Sequence, residues 1–116
     1  MSRKDKWEFK KVVFNCHKER VSLLNLLSQY GKNGWQLAGY FQLPILSGQS
    51  EILFKRLKGE EKKAWQYMLK IFNRSGKETL KEFLDRNNKN GWEMVNSLCV
   101  NVFLGKFEII FKRLKE

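Results

Sequence analysis

The segment Lys32-Asn-Gly-Trp35 occurs a second time as Lys89-Asn-Gly-Trp92. Further along, Glu51-Ile-Leu-Phe-Lys-Arg-Leu-Lys58 has a near copy at 108–115, Glu-Ile-Ile-Phe-Lys-Arg-Leu-Lys. Both pairs are 57 residues apart (34 to 91 and 55 to 112), and residues between them match in the same register. Two long matches at one spacing indicate a tandem duplication. The sequence therefore predicts two repeats, 1–58 and 64–116, joined by the charged segment 59–63 and packed as one globular unit.

Each repeat has the pattern of a strand, a helix and two further strands. Aromatic and β-branched residues over 6–15 and 65–72 predict the first strands. Leucines at three- and four-residue steps from Leu23, and again from Leu80, predict one amphipathic helix per repeat. After each Gly-Trp pair, alternating apolar residues and a short turn predict an antiparallel hairpin. The predicted fold class is α+β: two βαββ units, each an antiparallel sheet with one helix, related by a pseudo-two-fold axis.

The sequence also predicts where the helices begin and end. Ser75 and Glu78 have the spacing of a capping box, in which the two residues satisfy unpaired N–H groups at the start of a helix. We expect the helices to end near Gly31 and near Asn87 and Asn88, because Gly and Asn tolerate left-handed backbone geometry.

The last strand of each repeat is apolar on both of its faces. In the first repeat Ile52 and Phe54 alternate with Leu53 and Leu57, and the second repeat has the same pattern. One helix covers only one face of a small sheet. We therefore expect the other face to meet the other repeat, another subunit or a ligand.

Cysteine and histidine usage excludes several chemistries. Cys16 and Cys99 are the two cysteines, and His17 is the one histidine. They lack the spacing of a zinc site, and in a strand Cys16 and His17 would point to opposite faces, which separates a nucleophile from its base. We interpret the cysteines as small apolar strand residues and not as a disulfide. No nucleotide-binding or hydrolase motif occurs, so the sequence predicts a protein without catalytic residues, metal or cofactor.

These motifs resemble those of the domain-of-unknown-function family numbered 4177. The resemblance rests on Trp7-Glu-Phe-Lys-Lys-Val12, the leucine-rich helix at 23–30, Gly31-Lys-Asn-Gly-Trp35-Gln-Leu37 and Ile52-Leu-Phe-Lys-Arg56. The second repeat matches the same elements but has Asn88 in place of Gly31. The resemblance implies small βαββ units, common in bacteria and their phages, with no enzyme activity and no catalytic residues.

Trp35 and Trp92, each preceded by a glycine, are the first candidate ligand-binding residues. In a structural interpretation the glycine makes a tight turn and the Trp fills the core between helix and sheet. In a functional interpretation each indole ring is a platform on which a base or another flat ligand stacks. The sequence favours the structural interpretation, and both tryptophans remain candidates.

The basic residues repeated beside them are the second set of candidates. The Lys-Arg pair of each last strand either protects a sheet edge from aggregation or forms a phosphate clamp, in which Arg donates two parallel hydrogen bonds. The lysine two residues before each Gly-Trp pair either lies in a solvated turn or adds a donor to that clamp. These candidates are Lys55, Arg56, Lys112, Arg113, Lys32 and Lys89.

The chain is strongly basic, with 23 Lys and Arg against 12 Asp and Glu and a net charge of +11. Residues 1–58 contribute +7 and residues 59–116 contribute +4. Most of the basic residues are Lys, which attracts phosphate without reading bases. No basic amphipathic helix, long apolar span or secretory signal occurs, so we expect a cytoplasmic protein that does not bind membranes.

We therefore expect a non-catalytic, basic binding protein for an anionic, phosphate-bearing partner. That partner is either nucleic acid held without sequence specificity or a nucleotide captured between repeats or subunits, as a phage sequestering protein would do. The alternative is a protein–protein interaction module, an inhibitor or a homo-oligomer that uses an exposed sheet face. An enzyme is the weakest interpretation, because no catalytic constellation is recognisable.

Overall fold

The computed structural model describes residues 6–15, 22–42, 49–59, 63–101 and 104–115. Each repeat contains a strand, a helix and two strands, which confirms the predicted α+β order. The first repeat consists of β1 (Trp7–Asn15), α1 (Leu23–Lys32), β2 (Gln36–Gln42) and β3 (Gln49–Leu57). The second consists of β4 (Trp65–Asn73), α2 (Leu80–Asn88), β5 (Glu93–Asn101) and β6 (Lys106–Leu114).

Each repeat forms an antiparallel three-stranded sheet with its last strand in the centre. The strand orders are β1-β3-β2 and β4-β6-β5. Both sheets carry a β-bulge at the same place, between Leu37 and Gly39 in β2 and between Met94 and Asn96 in β5. The chain divides into two compact units, one containing the first sheet and the other formed by Tyr67–Arg113. That the repeats pack as one globular unit stays a prediction.

In the first repeat, α1 covers one face of the sheet. Ile52 and Phe54 of β3 and Leu27 of α1 are fully buried. The ring of Tyr30 stacks on that of Phe54, with 4.6 Å between the ring centroids. Burial of one such apolar side chain contributes about 1.5–3 kcal/mol. Because side chains alternate along a strand, Leu53 lies on the opposite face of β3, which α1 does not cover.

In the second repeat, α2 covers its sheet through aromatic contacts. The ring of Phe83 on α2 lies between Phe72 of β4 and Phe111 of β6, at centroid distances of 5.2 and 5.9 Å. These three residues and Ile109 form a buried cluster. Phe72 and Phe111 correspond to Phe14 and Phe54 of the first repeat, whereas Phe83 stands where the first repeat has Leu26.

A buried amide replaces the tyrosine of the first helix. Asn87 occupies the position of Tyr30, and its Nδ2 donates a hydrogen bond of 2.8 Å to the carbonyl oxygen of Phe83. Its Oδ1 accepts a hydrogen bond of 3.0 Å from Lys70 Nζ. The amide is tolerated in the core because both of its polar ends are bonded.

The Gly-Trp pairs make the turns from helix to strand, as predicted, but the left-handed residues are not the ones expected. Gly34 and Gly91 have positive φ angles of 88° and 84°, and no described non-glycine residue has a positive φ. The helices end at Lys32 and Asn88, which confirms that they end near Gly31 and near Asn87 and Asn88. The left-handed geometry lies two to three residues further on, at Gly34 and Gly91, where no Cβ opposes it.

The predicted capping box of α2 is also wrong in its residues. Thr79 is the N-cap: its Oγ1 accepts a hydrogen bond of 3.1 Å from the Glu82 amide, and Glu82 Oε1 accepts one of 2.9 Å from the Thr79 amide. Ser75 instead donates its hydroxyl to Asn73 Oδ1, at 2.7 Å. Two consecutive segments, 75–78 and 79–82, have the required spacing, and the helix begins at the second, directly before the apolar residue Leu80.

The predictions for Cys16, His17 and the turn at 44–48 lie outside the described residues, as does any contact of the Cys99 side chain. In the part of the chain that the structure describes, neither helix is long and apolar enough to span a membrane.

Candidate binding surfaces

The Trp-Arg pair of the first repeat is a structural clamp. The guanidinium of Arg56 lies 4.1 Å from the centroid of the Trp35 ring. Its Nη1 donates a hydrogen bond of 2.9 Å to the carbonyl oxygen of Asn33, and its Nε donates one of 2.5 Å to Glu8 Oε1. Trp35 itself is only 9% exposed. Arg56 therefore ties the helix-to-strand turn to the edge strand β1 and covers one face of the indole ring.

The second repeat has the same clamp. The guanidinium of Arg113 lies 4.2 Å from the centroid of the Trp92 ring, and its Nη1 donates a hydrogen bond of 2.9 Å to the carbonyl oxygen of Asn90. The position of Glu8 is taken by the neutral amide Gln66. Because the guanidinium lies over Trp and donates to the Asn carbonyl oxygen in both repeats, we infer that it holds the Gly-Trp turn in place.

The remaining candidates do not join these clamps. Lys55 and Lys112 are next to the arginines in sequence, so their side chains leave the opposite face of each sheet. Lys55 Nζ lies 4.6 Å from the centroid of the Trp7 ring, and Lys112 Nζ lies 3.5 Å from Glu93 Oε1.

Lys32 and Lys89 are exposed at the ends of the two helices. The structure thus places the predicted residues of each repeat at three separate places. Ligand binding by any of them stays a prediction.

The face of the first sheet opposite α1, here called the open face, exposes large apolar side chains. Antiparallel pairing places Phe9 beside Lys55, and places Val13 and Phe41 beside Glu51 on the two flanking strands. Phe9, Phe41 and Val13 are 61%, 56% and 52% exposed. Directly paired residues share a face, so these side chains belong to one surface.

A glycine positions one of the exposed rings. A Cβ atom added to Gly39 would lie 2.9 Å from Cε2 of Phe41, so the ring occupies the space above the glycine. An aromatic side chain laid across a strand glycine in this way covers the bare backbone. The other side of the ring faces solvent, which leaves Phe41 as a flat, exposed platform held by its own strand.

Lysines accompany the rings of the open face. Lys11 lies between Phe9 and Val13 on β1, and its Nζ is 3.9 Å from Glu51 Oε1. Both groups of that pair are substantially exposed, so their attraction is weak. With Lys55, the open face combines aromatic rings and positive charge.

The second repeat contains a groove of about 500 Å³ beside the start of α2. Its floor is apolar and its rim is polar, with the side chains of Arg74, Lys77, Glu78 and Ser97 on the rim. Phe72 and Ile109 are the buried apolar lining residues, and Leu80, Met94 and Phe107 are the more exposed ones.

The acid on this rim already has a partner. Both oxygens of Glu78 accept hydrogen bonds of 2.9 Å from Arg86, from its Nε and its Nη2. The hydrogen bond and the charge of Arg86 hold the pKa of the Glu78 carboxyl below its ordinary value. Glu78 is therefore ionised but compensated at neutral pH, and among the described residues no ion pair involves Arg74 or Lys77. The rim is net positive.

Sequence reasoning missed Phe9, Phe41 and the groove. The alternation of β1 gave a signal for the open face, because Phe9 and Val13 lie on the side of the strand opposite Val12 and Phe14. The sequence also contained a signal for the groove, because Ser97 occupies the position of Tyr40 in the first repeat. Among the described residues, no three His, Cys, Asp or Glu side chains lie close enough together to hold a metal ion.

Comparisons with known proteins add no relative. No family model matches the chain, and no match was found among curated proteins or solved structures. The resemblance to the family numbered 4177 therefore rests on the sequence motifs alone.

Proposed function

We propose that the chain is a non-catalytic binding protein for a phosphate-bearing partner, and that this partner is single-stranded nucleic acid lying across the open face. One observation carries the proposal: Phe9 and Phe41 are more than half exposed on the same sheet face as Lys11 and Lys55. A soluble protein gains nothing in stability from large apolar rings left in water.

Rings and lysines together match the two parts of a nucleotide. Bases stack on aromatic side chains with about 1–3 kcal/mol each, whatever their identity, and lysines attract the phosphates between them. Phe9 lies on β1 and Phe41 on β2, the two strands that flank β3. The β3 residues with which they pair, Lys55 and Glu51, are four positions apart. These offsets correspond to about 10 Å across the sheet and about 14 Å along it. A strand of several nucleotides spans that distance.

The arginines contribute differently from the lysines. Arg56 uses its Nε, its Nη1 and one face of its guanidinium inside the protein, so we assign it to the clamp. Bidentate base readout needs guanidinium groups or amides at the surface. The open face offers lysine ammonium groups instead, which supports binding without sequence specificity.

The test is fluorescence anisotropy with a labelled oligothymidylate of about 16 nucleotides, a length within the usual range for such surfaces. Phe9→Ala and Phe41→Ala should each weaken binding at least about fivefold, through the loss of one stacking contact. Affinity should also fall steeply as salt rises from about 50 to about 200 mM. Ile71→Ala, which truncates an exposed apolar residue of β4, is the matched control and should change nothing.

A protein partner is the second candidate, because Phe9, Phe41 and Val13 are all exposed on one sheet face. In that case the oligonucleotide does not bind at low salt. Sedimentation of the chain would then show a self-associated species that Phe41→Asp converts to monomer. Absence of oligonucleotide binding at low salt would by itself refute the nucleic-acid proposal.

A further inference from the structure

Two residues that line the groove of the second repeat differ from their counterparts in the first. Ser97 replaces Tyr40, and Met94 replaces Leu37. Both pairs hold the same register, opposite isoleucine and phenylalanine of the central strand. Leu37 is 3% exposed, whereas Met94 is 43% exposed. At the groove the second repeat therefore has a serine hydroxyl and an exposed methionine, where the first repeat has a phenol ring and a buried leucine.

From this groove we infer a binding site for a small aromatic anion: a flat ring system carrying one phosphate or carboxylate group. The inference is independent of nucleic-acid binding on the open face, since it concerns different residues on the other repeat. A volume of about 500 Å³ lies within the range of small-ligand pockets, which are mostly apolar with a few polar groups that orient the ligand.

The residues that line the groove indicate the two chemical parts of the ligand, an aromatic ring and an anionic group. Phe72 and Phe107 supply aromatic surface for a ring, and Met94 supplies a flexible, polarisable lip. The cations at the rim, Arg74 and Lys77, then meet the anionic group. A purely apolar ligand would leave these charges unused, and a cation would be repelled by them.

The probes are adenosine monophosphate, indole-3-acetate and, as the neutral counterpart of the first, adenosine. Binding is followed by NMR on protein with ¹³C-labelled methionine methyl groups. Met94 lies at the groove and Met68 is packed against the nearby core, so the two methyl groups separate groove binding from a general change.

Either anion should shift the Met94 signal saturably while Met68 moves little. Adenosine should bind about tenfold more weakly than its monophosphate, through the loss of the charge-assisted bonds. A response to the nucleotide alone identifies a phosphate site, and a response to indole-3-acetate alone identifies a carboxylate site. No Met94 shift with either anion at millimolar concentration overturns the inference.

Two kinds of variant locate the site. Ser97→Tyr restores the residue of the first repeat and should abolish binding by filling the groove. Arg74→Gln and Lys77→Gln should each weaken binding about tenfold, whereas Lys81→Gln, the same charge change further along α2, should have no effect. If Ser97→Tyr fails to fold, the charge variants decide. Unchanged affinity in Arg74→Gln and Lys77→Gln, or in a folded Ser97→Tyr, refutes the site, and Phe41→Ala should leave it intact.

Discussion

The two repeats share a backbone plan but differ in which of its side chains they expose. The first exposes Phe9 on the open face, while the equivalent residue of the second, Tyr67, is buried. On the helix side the order reverses: Leu37 is buried, and its counterpart Met94 lies exposed at a groove. The stacking of Arg on Trp and the hydrogen bond from Arg to the Gly-Trp turn occur in both repeats. Duplication has therefore kept the scaffold constant and varied the side chains that meet solvent, which is what separate binding surfaces on one scaffold require.

The strongest test of the shared scaffold is the central phenylalanine. Phe54 and Phe111 are both fully buried at equivalent positions of β3 and β6. Replacement of either by Ala should lower the free energy of unfolding by about 3–5 kcal/mol, since transfer and cavity costs add. Chemical denaturation of both variants measures the loss. Phe54→Leu and Phe111→Leu are milder controls, and a loss below about 1 kcal/mol at one position only would show that the two cores are not equivalent.

A smaller effect should separate the two clamps. Arg56 has the carboxylate of Glu8 as a partner, whereas the second repeat has the neutral Gln66 at that position. A double-mutant cycle with Glu8→Gln and Arg56→Met should give a coupling of about 1–2 kcal/mol, because the pair is charge-assisted and partly buried.

The exposed pair of Lys11 and Glu51 is the control for this cycle. Its two groups are 3.9 Å apart and largely in solvent, so the coupling should stay below about 0.5 kcal/mol. Equal couplings for the two pairs would mean that Glu8 adds nothing to the first clamp beyond a surface attraction.

The sequence predicted the scaffold better than the surfaces. The element order followed from the spacing of residues such as Leu23 and Leu80, because local periodicity largely determines whether a segment is helix or strand. The clamp could not be predicted, because the contact of Arg56 with Trp35 depends on the pairing register of β2 with β3. The exposure of Phe9 depends on whether another part of the molecule covers that whole face of the sheet. A local sequence pattern does not contain this information.

The errors at the second helix have the same origin. Ser75 and Glu78 satisfy the spacing of a capping box, but the next pair, Thr79 and Glu82, does so as well. In the structure the second pair caps the helix, and Phe83 in its first turn packs against Phe72 and Phe111 of the sheet. The spacing predicted that Glu78 caps the helix, whereas in the structure its carboxylate pairs with Arg86.

The smallest expected effect is the titration of that ion pair, which the first repeat lacks because Val21 and Gln29 occupy the equivalent positions. The hydrogen bond from Arg86, aided by its charge, lowers the pKa of Glu78 from its ordinary value of 4.5. The pair should therefore support the folded second repeat fully above pH 4.5 and lose that contribution as pH falls through the lowered pKa.

NMR titration of the Glu78 carboxyl should show the lowered pKa, and Arg86→Gln should return it towards 4.5. Lys81→Gln, which removes a neighbouring cation paired with Asp85, should leave the pKa of Glu78 nearly unchanged. If the pKa of Glu78 is not lowered in the unmodified chain, this ion pair does not distinguish the second repeat from the first.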